Sequence, residues 1–357
     1  MDNIMVTGGA GFIGANFVQA WIHATEAGLV ITLDKLSYAG NLHNLEDLKD
    51  HPRHAFYQED IGDQEAVGQL LQRYRPGAIV RFAAESHVDR SIARPEVFVT
   101  TNVVGALRLL GATCAYWLTL SEEERSAFRF MHISTDEVYG SLGRDEAPFG
   151  ETDPYRPNSP YAASKASSDQ MERAYYHTYG LPVLTTHCSN NYGRYQFPEK
   201  LIPLLIVNAI EGRPLPLYGD GLNIRDWLHV DDHCAAIRTV LVRGKVGETY
   251  RIGGNAERTN LEIAHAVRAL LDRHRRQANT RHEALITFVR DRPGHDRRYA
   301  IDTHKIRAEL GWQPAESFDS ELAKTVLWDL EHPAWVEDVV SGQYRQWVGQ
   351  HYGTLEA

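Results

Sequence analysis

The first half of the chain alternates short apolar runs with longer stretches in which apolar residues recur at helical spacing. The runs predict strands at Ile4 to Val6, Leu29 to Leu33, His54 to Gln58, Ala78 to Phe82, Phe128 to Ile133 and Pro182 to Cys188. The longer stretches predict helices at Phe12 to Ile22, Asp63 to Tyr74, Pro95 to Trp117 and Tyr161 to Tyr179. Strands and helices that alternate in this way form a parallel sheet with helices on both faces, and ligands bind at the carboxyl ends of its strands.

The second half has a different pattern, because glycine and proline interrupt it more often after about Asn190. Helical spacing predicts helices at Glu199 to Glu211, Asp231 to Val242, Leu261 to Arg275, Ser317 to Leu330 and Pro333 to Gln350. We therefore predict an α/β fold of two domains. Residues 1–190 form a doubly wound parallel sheet, to which residues 228–253 return, and residues 191–227 and 254–357 form a smaller, mixed α/β domain.

Composition and charge exclude several classes of protein. Apolar residues make up 43% of the 357 positions, which is enough for a packed interior, and the net charge of -10 argues against a nucleic-acid or anionic-membrane surface. The three cysteines are far apart in the sequence, as is typical of a reducing compartment. No charged-then-apolar signal segment opens the chain, and no apolar run approaches the roughly 20 residues that cross a bilayer. We expect a cytoplasmic protein that binds neither nucleic acid nor membrane.

Three glycines follow the first predicted strand and open the first predicted helix. Gly8, Gly11 and Gly14 have a spacing that permits a tight turn and lets backbone N–H groups approach a pyrophosphate at the helix N-terminus. Asp34 ends the second predicted strand, where a carboxylate accepts hydrogen bonds from an adenosine ribose and repels a 2′-phosphate. This combination predicts a Rossmann-type domain that binds NAD rather than NADP.

Tyr161 and Lys165 lie four residues apart on a predicted helix, so their side chains share one face. A free tyrosine has a pKa of about 10 and is a poor base at neutral pH. A nearby ammonium group favours the phenolate, so we expect Lys165 to lower the pKa of Tyr161. The pair can then take a proton from a hydroxyl group while a hydride leaves for a nicotinamide.

Two further groups of polar residues are explained more simply by ordinary helix structure than by a functional site. His229 and His233 are spaced like metal ligands, but Asp231 between them is well placed to be a helix N-cap. We expect Asp231 to cap that helix and expect no metal site. The basic segment from Arg273 to Arg276 is interpreted as a solvated helix end.

Longer motifs resemble those of a known family. They are Ala83 to Ser91 (AAESHVDRS), Ser134 to Gly140 (STDEVYG), Phe197 to Pro203 (FPEKLIP), Ile224 to Trp227 (IRDW) and Asp291 to Tyr299 (DRPGHDRRY). Together with the glycine loop and the tyrosine–lysine pair, they resemble the extended short-chain dehydrogenase/reductase family and, within it, the 4,6-dehydratases of dTDP-glucose. The resemblance runs from about Ile4 to Tyr352 and implies a hydro-lyase that uses tightly bound NAD+, with the smaller domain binding the nucleotide sugar.

The resemblance implies a role for each of five residues. Tyr161 and NAD+ oxidise carbon 4 of the glucose, Lys165 assists, and Thr135 hydrogen-bonds the hydroxyl on carbon 4. Glu137 removes the proton on carbon 5, Asp136 protonates the departing hydroxyl of carbon 6, and hydride returns to carbon 6. One carboxyl must be neutral while its neighbour is ionised, so the two need different environments. Because consecutive residues at a strand end point to opposite sides, we expect Asp136 and Glu137 to diverge.

The remaining contacts are carried over from the family by position. Those toward the cofactor are Gly8, Gly11, Phe12, Ile13, Gly14, Asp34, Lys35, Leu36, Ser37, Asp60, Ile61, Phe82, Ala83, Ala84, Ser86, Thr101, Tyr161, Lys165 and Asn191. Those toward the nucleotide sugar are Ser86, Thr135, Asn190, Lys200, Leu201, Pro216, Leu217, Tyr218, Arg225, Asn260, Asp291, Arg292, Pro293, Gly294 and His295. Lys200 and Arg225 are sensible partners for a diphosphate.

One position departs from the family pattern. Arg194 follows Asn190-Asn191-Tyr192-Gly193 where proline is usual, so we expect a looser turn or an acidic partner for Arg194.

The resemblance also implies an assembly. Relatives pair through helices of the large domain, and the apolar segments Val97–Leu120 and Tyr161–Tyr179 predict a homodimer here.

Two alternative functions share most of these features. A nucleotide-sugar 4-epimerase, or a 4,6-dehydratase of another nucleotide sugar, would keep the glycine loop and the Tyr161–Lys165 pair. An epimerase usually has small residues where Asp136 and Glu137 stand. A catalytically silent NAD-binding regulator has no reason to keep all four of these side chains.

Overall fold

A parallel sheet of seven strands forms the centre of the computed structural model, which describes residues 3–274 and 285–340. Its strands are β1 (Ile4–Thr7), β2 (Val30–Leu33), β3 (His54–Tyr57), β4 (Ala78–Arg81), β5 (Arg129–Thr135), β6 (Val183–Cys188) and β10 (Thr249–Ile252), in the order β3-β2-β1-β4-β5-β6-β10. All neighbouring pairs are parallel. The predicted parallel α/β fold is confirmed.

Helices cover both faces of this sheet. They are α1 (Phe12–Ala24), α2 (Gln64–Tyr74), α3 (Val88–Ala93), α4 (Pro95–Phe98), α5 (Ala106–Trp117), α6 (Glu122–Ala127), α7 (Pro160–Tyr179), α9 (Val230–Arg243) and α11 (His304–Leu310). Helices α1 and α9 pack together on one face, and α2 and α5 pack on the other. The segment 228–253 thus contributes α9 and β10 to the large sheet.

The helix from Pro95 to Trp117 has the predicted bounds and is apolar over most of its length. A π-helical stretch at Val99–Gly105 joins α4 to α5, so the helix is continuous over 23 residues. Its mean hydropathy reaches 1.5 over 18 residues. Among the described residues, this is the one helix that is long and apolar enough to cross a membrane by length and composition. The statement that no apolar run approaches that length was therefore wrong. However, 56% of that window is buried, and the helix packs against α2 and α7 as a core helix does.

In the described residues of the second half, two small sheets and four helices besides α9 and α11 are present. The first sheet joins β7 (Asn190–Tyr192), β9 (Ile224–His229) and β11 (Glu257–Thr259), and the second pairs β8 (Leu215–Tyr218) with β12 (Ile286–Val289). The helices are α8 (Leu201–Ile210), α10 (Asn260–His274), α12 (Phe318–Glu331) and α13 (Pro333–Val340). They surround a separate apolar core. The end of the predicted helix at Pro333–Gln350 and the basic positions Arg275 and Arg276 lie outside the described residues.

Helix α9 begins differently from the sequence-based expectation. His229 is the N-cap, and its side chain accepts a hydrogen bond from the backbone N–H of Asp231. The prediction that Asp231 caps the helix is therefore wrong, because the helix begins one residue earlier, at Val230. His233 is fully buried four residues along, and burial lowers the pKa of its imidazole to about 3.

Candidate active site

A cleft of about 370 Å³ lies at the carboxyl ends of β1, β2, β4, β5 and β6, with the second half of the chain forming its opposite wall. This volume is within the range of small-molecule and cofactor sites. Parallel sheets place their ligand sites at this edge, because the loops that follow the strands converge there. The cleft lies where the alternating pattern predicts a ligand.

The glycine loop is built for close approach of backbone to backbone. Gly8 has a φ of +73°, and a Cβ atom there would lie 2.5 Å from the backbone nitrogen of Ala83. A Cβ at Gly14 would lie 2.2 Å from the carbonyl oxygen of Gly8. Gly11 caps α1 without a side-chain hydrogen bond, so the first N–H groups of the helix are left for an anion. The loop therefore fits a pyrophosphate.

Asp34 is fixed at the end of β2 by two backbone donors. Its Oδ2 accepts a hydrogen bond from Ala10 N at 3.0 Å, and its Oδ1 accepts one from Leu36 N at 2.8 Å. Burial raises the pKa of this carboxyl above 3.8, and the two hydrogen bonds oppose the rise. The carboxylate thus lines the cleft beside the glycine loop, where a ribose would bind.

Tyr161 and Lys165 lie one turn apart at the start of α7. The helix begins there because Ser159 caps it with a hydrogen bond to Ala162 N, and Pro160 occupies its first position. Both side chains line the cleft and are almost fully buried. The predicted shared face is therefore present.

The electrostatics of this pair differ from the expectation. Lys165 Nζ donates a hydrogen bond to the carbonyl oxygen of Ile133 at 2.6 Å. Burial lowers the pKa of Lys165 to about 8, and the nearby guanidinium of Arg81 adds to the fall. Burial also raises the pKa of Tyr161 well above 10, and the charge of Glu137 raises it further. The sequence predicts that Lys165 lowers this pKa, whereas burial and Glu137 raise it.

Asp136 and Glu137 follow β5 in a short 3-10 turn (Asp136–Tyr139). Thr135 caps this turn: its Oγ1 accepts a hydrogen bond from Glu137 N and donates one to Asp136 Oδ1, each at 3.3 Å. The cap ends the strand at Thr135, so the two residues lie in the turn and not at a strand end as expected. Both residues line the same cleft as Tyr161.

The two adjacent carboxyl groups have different surroundings. Burial raises the pKa of Asp136 well above 3.8, and the charges of Glu137 and Asp226 raise it further. Burial also raises the pKa of Glu137, but the cations of Arg292 and Lys200 oppose the rise. Asp136 is therefore the carboxyl that stays protonated, and Glu137 is the one that ionises more readily.

Cations from the second half of the chain line the far wall. Lys200 Nζ donates to the carbonyl oxygen of Ser86 at 2.8 Å, and Arg225 is buried against the ring of Tyr299, with its Cζ 4.2 Å from the ring centroid. Arg292 Nη1 lies 3.5 Å from Asp89 Oδ1. These three cations, drawn from separate segments, make this wall suitable for a diphosphate.

Most of the predicted site residues line the cleft together, and five do not. Leu217 is completely buried in the small-domain core, because side chains alternate along β8 and its neighbours Pro216 and Tyr218 take the cleft side. Its side chain therefore does not face the cleft. The remaining residues outside the lining are Leu36, Asp291, Pro293 and Gly294. Leu36 contributes its backbone N–H to Asp34, and Asp291 Oδ1 lies 2.6 Å from His295 Nδ1.

Several lining residues were not identified from the sequence. Asp89 and Glu199 line the cleft and lie inside two of the motifs quoted above, but no ligand contact is predicted for either from the sequence. Cys188 ends β6 with its Sγ 3.4 Å from the carbonyl oxygen of Ser134, and burial raises the pKa of its thiol to about 12. No sequence signal distinguishes this thiol from an ordinary core cysteine.

A buried polar network lies behind Lys165. Asp169 accepts a hydrogen bond from Ser134 Oγ at 3.0 Å, and its oxygens lie 2.9 Å from His132 Nε2 and 3.1 Å from His187 Nε2. Burial alone would raise the pKa of Asp169, but the two histidines outweigh it and hold this pKa well below 3.8. The network therefore joins β5, β6 and α7 beneath the reactive side chains.

The same network includes the one group in the described part of the chain that has metal-like spacing. His132, Asp169 and Glu172 bring ligand atoms within 4.8 Å of one another. Arg81 Nη1 lies 3.1 Å from Glu172 Oε1 and 3.2 Å from His132 Nδ1, so a guanidinium already supplies the positive charge there. The arrangement is that of a buried ion pair.

Arg194 finds an acidic partner. Its Nη2 lies 3.3 Å from Asp231 Oδ1, and its Nε donates to Asn16 Oδ1 at 2.6 Å. The side chain thereby ties the loop after β7 to α1 and to the start of α9. The departure from proline at this position is accommodated by these contacts.

Comparisons with known proteins agree with this geometry. The family model described as GDP-mannose 4,6 dehydratase matches residues 5–325. A curated dTDP-glucose 4,6-dehydratase of Xanthomonas campestris pv. campestris (strain B100) is 58% identical over 347 residues, which cover 97% of this chain and 98% of the relative.

Two solved structures share the fold over nearly the whole chain. DesIV, a dTDP-glucose 4,6-dehydratase from Streptomyces venezuelae with NAD and TYD bound, has a TM-score of 0.86 and 47% identity, with 94% of this chain and 99% of that chain covered. The dTDP-glucose 4,6-dehydratase of Bacillus anthracis in complex with NAD has a TM-score of 0.84 and 45% identity, with 95% and 100% covered. The chain therefore belongs to the dTDP-glucose 4,6-dehydratase family.

Proposed function

We propose that the protein is an NAD-dependent dTDP-glucose 4,6-dehydratase, a hydro-lyase that forms dTDP-4-keto-6-deoxy-glucose. One observation carries this assignment most directly: Asp136 and Glu137 share one cleft with Tyr161, and their carboxyl groups have different electrostatic surroundings. Oxidation alone needs only the tyrosine–lysine pair. Loss of water needs a separate acid and base as well, because hydroxide is a poor leaving group.

The glycine loop and Asp34 are the residues that would hold the cofactor. The loop offers unpaired N–H groups at the start of α1, and the carboxylate of Asp34 lies beside it to accept the adenosine ribose. When bound, NAD+ accepts the hydride of carbon 4 and later supplies it to carbon 6. The NAD bound in the solved relatives from Bacillus anthracis and Streptomyces venezuelae supports the same cofactor.

Each reactive side chain then handles one proton. Tyr161 takes the proton of the hydroxyl on carbon 4, which Thr135 orients, and we infer that the positive charges of Lys165 and of the bound nicotinamide offset the effect of burial on the pKa of Tyr161. Glu137 removes the proton on carbon 5, which the ketone at carbon 4 makes acidic, and a proton is returned to carbon 5 when the hydride reaches carbon 6. Asp136, kept neutral by burial and by its acidic neighbours, donates a proton to the hydroxyl on carbon 6, and that hydroxyl leaves as water.

The cations of the far wall fit the nucleotide end of the substrate. Lys200, Arg225 and Arg292 come from three segments, and a diphosphate would bring two negative charges to a wall that is already cationic. Their cations also oppose the rise that burial causes in the pKa of Glu137. The same residues therefore bind the substrate and help to keep the base ionised.

We also infer that the protein is a cytoplasmic homodimer. All three cysteines are buried and free, which suits a reducing compartment. Val99, Val104 and Leu107 on the helix Pro95–Trp117 and Met171 on α7 are exposed apolar side chains on two helices that pack together. An exposed apolar surface of this kind supports pairing with a second copy.

Incubation of the purified protein with dTDP-glucose and NAD+, followed by mass spectrometry, tests the function. A product lighter than the substrate by one water is expected. A product of unchanged mass would indicate an epimerase instead. If no nucleotide sugar is converted although NAD binds, the catalytically silent regulator is the better description.

A further inference from the structure

Three side chains meet beside the cleft to form a small group, which we call the Glu199 clamp: Tyr38, Arg90 and Glu199. Glu199 is buried and lines the cleft, and Tyr38 and Arg90 are half-buried. Glu199 Oε1 accepts a hydrogen bond from Tyr38 OH, and its Oε2 accepts one from Arg90 Nε, each at 2.8 Å. The guanidinium of Arg90 also stacks on the ring of Tyr38, with its Cζ 3.8 Å from the ring centroid. Every member therefore contacts both of the others.

The clamp joins segments that lie far apart in the sequence. Tyr38 belongs to the loop after β2, Arg90 to α3, and Glu199 to the segment that leads into α8 on the opposite wall. Phe197 adds an edge-to-face contact with the Tyr38 ring at 5.7 Å, and Lys200 reaches across to Ser86. The loop after β2 is thus tied to the far wall of the cleft.

That loop also folds back over Asp34. A Cβ atom added to Gly40 would lie 3.0 Å from Asp34 Oδ1, so the backbone of the loop lies directly against the carboxylate. Ser37, Gly40 and Glu199 all line the cleft. The clamp therefore stands beside the position that an adenosine ribose would take.

Charge and burial favour the closed arrangement. Glu199 is 4% exposed, and although burial raises the pKa of its carboxyl, the cations of Arg90 and Lys200 oppose the rise. Burial and the charge of Glu199 raise the pKa of Tyr38 well above 10, so the phenol keeps the proton that it donates. Hydrogen bonds to a buried, ionised acceptor are among the stronger ones in proteins.

We propose that the Glu199 clamp retains the dinucleotide by closing the adenosine end of the cleft, so that the cofactor leaves only after the clamp has opened. This rests on the proposed function, and it assigns to this chain the residues that keep NAD bound between turnovers. Tyr38 and Glu199 are the two sides of the closure, and Arg90 holds them together. The residues of the clamp act through position and do not take part in the chemistry.

The test measures cofactor release directly. The protein is loaded with 1,N6-etheno-NAD, whose fluorescence reports the adenine end, and release is followed after a chase with excess unlabelled NAD. We expect release to be faster by about threefold in Tyr38→Phe and by at least about tenfold in Glu199→Gln, since a charged hydrogen bond is lost in the second case. Arg90→Lys keeps the charge but loses the stack, and an intermediate rate is expected.

The chain offers a matched control away from the cleft. Glu309 accepts a hydrogen bond from Tyr250 OH at 3.0 Å and lies 3.3 Å from Lys245 Nζ, so it is a similar tyrosine–glutamate–cation group. Glu309→Gln and Tyr250→Phe should leave the release rate within about twofold of the original, whatever they do to thermal unfolding.

The outcomes separate the clamp from the function on which it rests. If Glu199→Gln and Tyr38→Phe release the labelled dinucleotide at the original rate, the clamp proposal is wrong and the enzyme assignment stands. If Glu199→Gln fails to fold, Tyr38→Phe alone decides, since it removes a single oxygen atom. If the unaltered protein does not bind the dinucleotide, both proposals fail.

Discussion

Asp136 and Glu137 are consecutive in one 3-10 turn, yet their carboxyl groups face different charges. Acidic neighbours add to the effect of burial on Asp136, whereas Arg292 and Lys200 oppose it at Glu137. Thr135 makes this arrangement, because its hydroxyl both caps the turn and contacts Asp136. One residue is thereby suited to donate a proton and its neighbour to accept one.

Substitution of Asp136 separates oxidation from water loss. Asp136→Asn keeps the shape of the side chain but cannot donate the proton, so we expect water loss to slow by about 10²–10⁴-fold. Reduced nicotinamide should still accumulate, as seen by its absorbance in a stopped-flow experiment. Tyr161→Phe is the companion variant and should show neither absorbance nor product. Water loss at the original rate in Asp136→Asn would refute its assignment as the acid.

Oxidation should weaken as the pH rises through about 8. Burial lowers the pKa of Lys165 to about 8, so its ammonium is present below that pH and is lost above it. If the cation supports proton removal by Tyr161, the rate of the first oxidation falls on the alkaline side. The pH profile of a single turnover measures this, and Lys165→Met should be slow throughout and lack the alkaline limb. If Lys165→Met keeps the alkaline limb of the profile, that limb belongs to the titration of another group. Lys245→Met is the control at an exposed lysine, and it should keep the alkaline limb.

The buried network beneath Lys165 should matter to stability. Asp169→Asn leaves His132 and His187 facing an amide, and we expect the free energy of unfolding to fall by about 3 kcal/mol. Because the folded pKa of Asp169 is depressed, this stabilisation is present above its ordinary pKa of 3.8 and is lost as the pH falls below it. Denaturant unfolding at neutral and at acid pH measures both effects.

An exposed ion pair provides the control for that measurement. Asp220 lies 2.8 Å from Arg297 on the surface, and Asp220→Asn should change the free energy of unfolding by less than about 1 kcal/mol. If the two variants unfold alike, Asp169 has no special role in stability.

A charge on the exposed apolar helix should separate the proposed dimer. Leu107 is 42% exposed. Leu107→Glu would place a carboxylate in the interface, where the charge loses its contact with water. Sedimentation at micromolar protein should then show a single chain in place of a pair. Val242→Glu on α9, which packs on the other face of the sheet, should remain paired. Identical sedimentation of both variants would argue against an interface at Leu107.

The large sheet could be predicted from the sequence because its strands are continuous apolar runs. Ile4 to Thr7 and Ala78 to Arg81 are buried along their whole length, which is the pattern of a parallel strand covered on both faces. The strands of three or four residues in the second half, such as β7 and β11, carry no such run and were missed. Their partners come from distant segments, and local periodicity does not report them.

The candidate site could be predicted as a set of motifs but not in its electrostatics. The glycine spacing, Asp34 and the Tyr161–Lys165 pair each follow from local geometry. The burial that raises the pKa values of Tyr161 and Asp136 depends on packing between segments that are far apart in the sequence. The same is true of the Glu199 clamp, whose members come from three separate parts of the chain.

The most direct test of the account follows one hydrogen through the reaction. dTDP-glucose with deuterium at carbon 4 is converted in ordinary water, and the product is examined by NMR. Internal oxidation, water loss and hydride return predict that the deuterium reappears on the methyl carbon, carbon 6, without dilution. Deuterium that stays at carbon 4, or that is lost to the solvent, would contradict the account.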